Sequence, residues 1–547
     1  MKFDEFLFSN LGEMGRFQKI QFFLVCLPTI FVSMHALSWT FAAIQVPYRC
    51  ALPGETSSAT YYTDSLNATE CFEGETKVRL SDNGQPGVHC TYKESCALED
   101  EVCENHVFYR GNVKLTAIEK WDIVCDRAWI KAFIQAAYYI GQMAGSMVFG
   151  ILGDRIGRKK VFFLAILIQI TCGLGVAAAP WWWLYALFRA GTGFSHPGIF
   201  VIAVVIGMEL VGPQYRKLAS VITGAFFALG QIILGLEAWY VTDYRWLHIV
   251  ICSPAILFLS YWWLVPESSR WLVSQKRFEE ADKILQKAAR INGVTLPAKW
   301  WDQLEFDADS TTATGEAKKY GFTDLFKTPE LRKRTLVAFY LWPVVSMVYY
   351  GMAMKTNVLG GDLYINFIFG AVIEIPALFL VYLTIDRFGR RILLSSGFFI
   401  AGAILIINWL MGDSATPAIA ICQMMITKGA ITATYASIYT YCPELFPTVI
   451  RNSAMGCCST IARVGAIAAS FIAMWIVERY GKVFMIIPFG VLAVSAGVVT
   501  LLLLPETMGK PLPETIASIE NPSADRGTEL QTMSRKPEEE ALTRAEE

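Results

Sequence analysis

The sequence predicts an all-α membrane protein of about twelve spanning helices in two six-helix halves, with a large extracellular loop between the first two helices. Three observations carry this. Hydrophobic residues make up 54% of the chain and charged ones 17%, against about 25% charged in soluble domains, and mean hydropathy is +0.40. Apolar runs long enough to cross a hydrocarbon core of about 30 Å recur along the chain. Finally, Asp154-Arg155-Ile156-Gly157-Arg158-Lys159 returns 232 residues later as Asp386-Arg387-Phe388-Gly389-Arg390-Arg391. Other landmarks repeat in the same order and at nearly the same offset. Lys428 answers Arg189, Glu444-Pro447-Arg451 answer Glu209-Pro213-Arg216, and Pro505-Glu506-Thr507 answers Pro266-Glu267-Ser268. Such ordered repetition indicates a duplicated membrane unit.

Residues 1–19 are charged and carry no small-residue cleavage site after an apolar core, so the first span itself is expected to act as the targeting signal. The first half covers 20–265, with spans near 20–42, 131–153, 161–179, 182–208, 218–240 and 246–265. Between its first two spans lies the polar stretch 43–130. It holds Cys50, Cys71, Cys90, Cys96, Cys103 and Cys125 beside the sequon Asn67-Ala68-Thr69. An even cysteine count beside a glycosylation sequon implies an oxidising compartment and up to three disulfides of open connectivity. A zinc site is the lesser alternative, because no tight Cys-x-x-Cys pair is present. The other seven cysteines sit in or beside apolar runs, as small hydrophobes do.

Residues 266–334 link the halves. Within them Phe278, Ala281, Ile284, Leu285 and Ala288 recur at helical spacing, the mark of an amphipathic helix. The second half covers 335–504, with spans near 335–354, 363–385, 392–411, 417–443, 453–477 and 482–504. The tail 505–547 turns polar after about Asn521 and is expected to be largely disordered. The short loops 154–160 and 387–391 are rich in Arg and Lys, which places them in the cytoplasm. Both termini then lie inside and the Cys-rich stretch outside, in agreement with its sequon. Trp181-Trp182-Trp183 reads as an interfacial belt.

Ionisable residues inside spans are functional candidates. Arg463 lies eleven residues, roughly 16 Å, into its helix, and Glu374 and Lys428 lie at similar depth. A guanidinium fork matches a carboxylate, so Arg463 is a candidate for holding an organic anion or the carboxylate of a zwitterion. The structural alternative is an Arg463–Glu374 ion pair. Glu374 can attract an ammonium, and Lys428 is either a second anion group or a helix tie. Arg189 reads as structural. Tyr349, Tyr350, Trp342, Tyr138, Tyr139, Tyr435 and Tyr439, with Gln142, are candidates to grip a flat or cationic body, against ordinary packing. His35 is a packing histidine or a proton relay, and Glu237 a charge at the outer mouth.

The repeated motifs read as conformational latches at helix ends: Asp154, Arg155, Arg158, Glu209, Arg216, Glu267 and Arg270 in the first half, and Asp386, Arg387, Arg390, Glu444, Arg451 and Glu506 in the second. Glycine permits the tight turn, and breaking such pairs lets one half rock against the other. There is no Gly-x-Ser-x-Gly, His-Glu-x-x-His or Gly-x-x-x-x-Gly-Lys-[Ser/Thr], so no enzyme or ATP-driven pump is indicated. The net charge of −1 gives no sign of nucleic acid.

These residues carry a resemblance. GDRIGRKK, PESSRWLVSQKRF (266–278), EIPALFLVYLTIDRFGRR (374–391), PELFPTVIRN (443–452) and the Cys-rich first loop resemble the major facilitator superfamily, and within it solute carrier family 22, from Gly15 to Thr507. The resemblance implies the major facilitator fold, no cofactor, and transport of organic cations, anions or zwitterions by alternating access at the plasma membrane. Arg463, in Ser-Thr-Ile-Ala-Arg-Val-Gly, matches the arginine of anion and carnitine-type members, where cation members carry aspartate. Lys428 matches a lysine of the same groups, and Tyr349-Tyr350-Gly351 looks like the anion members. Glu374, and Leu378 where many anion members have lysine, look like the cation and carnitine side. The expectation is a polyspecific transporter favouring carboxylate-bearing anions or zwitterions, with an organic cation transporter as the alternative and a receptor on a transporter fold as the rival of another class. Partners are small organic ions, the lipid bilayer and a co-transported or exchanged ion; self-association through the outer loop is left open.

Overall fold

The computed structural model describes residues 3–50, 76–80, 86–90, 97–98, 101–102, 106–108, 111, 113–297, 299–303, 322–358, 362–414, 416–510, 513 and 516–520. Twelve long helices follow the two halves. The first contains α1 (Arg16–Ala42), α2 (Trp129–Ile156), α3 (Arg158–Ala178), α4 (Trp182–Leu210), α5 (Arg216–Tyr240) and α6 (Tyr244–Leu264). The second contains α7 (Pro329–Met354), α8 (Leu363–Phe388), α9 (Arg390–Met411), α10 (Pro417–Leu445), α11 (Val449–Tyr480) and α12 (Val483–Leu503). Ten of these are long and apolar enough to cross a membrane. The remaining two, α2 and α10, carry many of the polar candidate residues.

Local chemistry sets the ends and breaks. Asp362 caps α8 by accepting the N–H groups of Tyr364 and Ile365 at 2.9 and 3.0 Å. Pro329 and Pro417 open α7 and α10, where the missing N–H would be unpaired anyway. Pro376 cannot donate to Val372, and α8 breaks between Val372 and Glu374. That break sits at the carboxylate singled out from the sequence. In α11 a π-helical turn occupies Ile472–Ile476, about two and a half turns beyond Arg463.

The duplication is visible in packing as well as in motifs. A side chain on Gly230 of α5 would meet the carbonyl oxygen of Ile30 in α1 at 2.2 Å, and one on Gly465 of α11 would meet that of Pro343 in α7 at 2.1 Å. Glycine thus lets the same two helices of each half approach at backbone distance. The halves meet where α2 packs on α11 and α5 on α8.

At the end bearing the two Arg-rich loops, the helix Phe3–Leu11 and the linker helix Phe278–Asn292 bury Phe6, Leu7, Leu285 and Ala288 against Trp271 and Trp300. The Cys-rich stretch contains three short antiparallel strand pairs, Tyr48–Cys50 with His106–Phe108, Thr76–Leu80 with Pro86–Cys90, and Ala97–Leu98 with Glu101–Val102. Strand structure there departs from the expected all-α chain; alternation such as Thr76-Lys77-Val78-Arg79-Leu80 suits a strand. Cys125 is disulfide-bonded. Cys71, Cys96, Cys103 and the sequon Asn67 lie outside the described residues, and the seven cysteines elsewhere are free.

Candidate functional site between the halves

The two repeated motifs build matching clusters. In the first, Arg158 reaches Asp154 at 3.0 Å and Glu209 at 3.5 Å, while Glu267 accepts the N–H groups of Lys159 and Ser268, each at 3.0 Å. In the second, Arg390 reaches Asp386 at 2.9 Å and Glu444 at 3.2 Å, while Glu506 accepts those of Arg390, Arg391, Thr507 and Met508. Partial burial works against ionisation of Glu506, yet these four backbone donors hold its carboxyl below the usual value. Gly157 and Gly389 have φ of +104° and +89°, and a side chain on either would strike the facing glutamate at 2.3 or 2.6 Å. Arg155 and Arg387 are exposed. Arg451 donates to the carbonyls of Pro443 and Phe446 and so closes the end of α10. Arg216 and Arg270 are half-buried.

Between the halves, Glu374 is the centre of a buried network. Lys428 Nζ lies 2.9 Å from its Oε1 and 3.8 Å from the centroid of the Tyr349 ring. The Tyr349 hydroxyl donates to the carboxylate at 3.0–3.1 Å. Gln231, from the other half, donates to Oε2 at 2.9 Å and to the Tyr349 hydroxyl at 3.2 Å. The ion pair weighed from the sequence therefore forms with a different cation. Glu374 pairs with Lys428, not Arg463, because both project from the α8–α10 contact.

Arg463 is 6% exposed, and no carboxylate pairs with it among the described residues. Its Nη1 donates to the Tyr350 hydroxyl at a long 3.5 Å, and its Nε has no partner. Other buried polar atoms on α2 and α10 also lack partners: both side-chain atoms of Gln142 and the hydroxyls of Tyr139 and Tyr435. Tyr139 faces Tyr350 across the halves at 4.9 Å between centroids. Tyr435 lies 5.4 Å from Tyr349 and 5.5 Å from Tyr439. Tyr439 is 41% exposed although Trp342 and Tyr435 flank it. An uncompensated buried guanidinium is costly unless a ligand completes it.

Other candidates sit elsewhere. Trp342 is fully buried, donates to Cys442 Sγ at 3.4 Å and wedges α7 against α10. Tyr138 bonds His196 at 2.8 Å. His35 offers its carbonyl to Arg189 at 2.5 Å and places Nε2 3.7 Å from Cys252 Sγ, within the first half's core. Glu237 is two turns, roughly 9 Å, beyond Gln231 on α5, with one carboxylate oxygen buried without a partner. A cavity beneath the first half is lined by Leu11, Gln18, Glu209 and Leu285.

Sequence reasoning missed the ties between halves. At the Cys-rich end, Lys131 of α2 and Lys355 of α7 share Oε1 of Glu478 in α11 at 2.6 and 2.8 Å. At the Arg-rich end, Lys217 pairs with Asp386. Each charge lies at a span end, where hydropathy alone assigns it to the interface. Gln231 is uncharged and carried no signal.

The fold is that of a secondary transporter of the major facilitator type. It is similar to the inward-open xylose transporter XylE from E. coli, with a TM-score of 0.57 at 19% identity, covering 71% of this chain and 88% of that one. The family model "Sugar (and other) transporter" matches residues 93–517. The chain is similar to the Drosophila melanogaster "Organic cation transporter protein", 35% identical with 95% of each chain covered. It is also similar to the human "Organic cation/carnitine transporter 2", 30% identical with 92% of each covered, and to "Solute carrier family 22 member 6" of Pseudopleuronectes americanus, 32% identical with 97% of each covered. The chain belongs to the sugar (and other) transporter family of the major facilitator superfamily, and within it to solute carrier family 22. It is a multi-pass membrane transporter of small organic solutes and not an enzyme.

Proposed function

We propose that the protein is a polyspecific plasma-membrane transporter that carries carboxylate-bearing organic anions or zwitterions by alternating access. The observation that carries this is the charge balance between the halves. Two buried cations, Lys428 and Arg463, stand against one buried carboxylate, Glu374, among the second half's mid-span charges, and that carboxylate is already paired with Lys428. Arg463 is left to bind a carboxylate in a low-dielectric site, where an ionic hydrogen bond is strong. Tyr350, Tyr435, Tyr439 and Tyr139 supply faces for the organic body, and Gln142 a further polar contact.

Twelve spans with both termini in the cytoplasm put the Arg-rich loops inside and Lys131, Lys355 and Glu478 outside. The outer tie is then closed. The Cys-rich stretch, with Asn67 glycosylated and its six cysteines paired, forms the extracellular loop. A latch role for the two motif clusters, and exchange or co-transport of a second ion, complete this reading.

Transport of organic cations is the second reading, favoured by the names of two relatives and by Glu374 beside Tyr349. Uptake of a labelled anion, carnitine and a quaternary cation into proteoliposomes separates the two. Arg463→Ala should abolish anion and carnitine uptake, and Glu374→Gln should distinguish carnitine from the anion. Cation uptake alone, untouched by Arg463→Ala, would establish the second reading. Binding without accumulation of any of the three would favour a receptor.

A further inference from the structure

We infer that Lys428 sets the charge selectivity of the site by standing, as a tethered ammonium, where the ammonium of a cationic substrate would bind. The inference rests on the Arg463 reading above and adds the reason why simple cations are refused.

A carboxylate beside an aromatic face is a receptor for an organic ammonium. Glu374 and Tyr349 form such a receptor, and Lys428 already fills it, 2.9 Å from Oε1 and 3.8 Å from the ring centroid. The rest of the carboxylate is also taken, Oε2 by Gln231 and both oxygens by the Tyr349 hydroxyl. All four groups are buried. A substrate ammonium reaches Glu374 only by displacing Lys428 from its buried ion pair. A carboxylate meets no such competitor. Removing the lysine amine leaves Glu374 open beside Tyr349 and returns the receptor to cations.

The test is uptake of labelled tetraethylammonium by the full chain in proteoliposomes. Lys428→Met should raise it at least tenfold over wild type, and Lys428→Met combined with Glu374→Gln should lose that gain. A folded Lys428→Met protein that takes up no more tetraethylammonium than wild type overturns the inference. Should Lys428→Met fail to reconstitute, Lys428→Ala is measured by thermal unfolding with ethylammonium chloride. Recovery of the midpoint by ethylammonium, and not by sodium chloride, supports the vacated ammonium slot, and no recovery overturns it. Arg463→Ala runs beside these with labelled benzoate. Unchanged benzoate uptake there overturns the Arg463 reading alone, since the tetraethylammonium result is read on different variants.

Discussion

The two halves each bury an arginine, and the two are treated in opposite ways. Arg189 in α4 is held through both terminal nitrogens by neutral groups, the His35 carbonyl at 2.5 Å, Ser38 at 3.1 Å and Gln135 at 2.7 Å, with the Tyr138 ring 4.9 Å away, and only its Nε lacks a partner. It ties α1, α2 and α4 into a fixed block. Arg463 in α11 has one long contact to a tyrosine and an unpartnered Nε. Duplication supplied similar frameworks; divergence made one half a scaffold and left the other with uncompensated charge. A buried ion held by several close partners belongs to the fold, and one left with a single long contact belongs to the ligand.

The contrast predicts different consequences for similar changes. Arg189→Met should have the largest effect, since it strips the Gln135 side-chain oxygen of its donor and removes the ionic contacts to Ser38 and the His35 carbonyl. A loss of about 3–5 kcal/mol is expected, seen as loss of monodisperse protein or a large fall in unfolding midpoint that no substrate restores. Arg463→Met should leave the midpoint close to wild type. If both variants fold equally well, the scaffold role of Arg189 fails.

The ties at the two ends extend the contrast. Glu478→Gln deprives two lysines of a partly buried shared anion. It should weaken closure at the Cys-rich end by about 2 kcal/mol, a shift of about 30-fold toward the outward-facing form. Accessibility of an introduced cysteine to a membrane-impermeant thiol reagent reads this. Lys217 and Asp386 are each about half exposed, at 49% and 48%, so Lys217→Ala should shift the same equilibrium by less than about 1 kcal/mol. The second half has Asn452 where the first has Lys217, which makes this inner tie one-sided.

The smallest effect concerns Glu506. Its carboxyl is held below the usual value, so its contribution to stability is full above the unfolded value of about 4.3 and is lost as pH falls through the folded value. Glu506→Gln should lower the unfolding midpoint at neutral pH and flatten its decline in acid. A parallel acid decline in wild type and variant would show that the four backbone bonds contribute nothing.

Much of this architecture was legible in the sequence because bilayers impose long apolar runs and duplication repeats the exceptions to them. Asp154 and Asp386 announced matching turns, and Glu374, Lys428 and Arg463 stood out as charges at mid-depth. Their partners were not legible, since depth along a helix says nothing of azimuth. Arg463 and Glu374 share a level but not a face, and Lys428 takes the carboxylate instead. Gln231 was missed because a neutral amide is unremarkable until it is seen donating across the halves, and Lys131 and Glu478 because charges at span ends look interfacial.

The most direct measurement is equilibrium binding of benzoate and benzamide, alike in shape but not in charge, to the purified full chain and to Arg463→Gln. Benzoate should bind wild type about 10–100-fold more tightly than benzamide, the worth of an ionic hydrogen bond, and Arg463→Gln should erase the difference. Equal binding of the two by wild type, or a preference for benzoate that survives in Arg463→Gln, would contradict the carboxylate site.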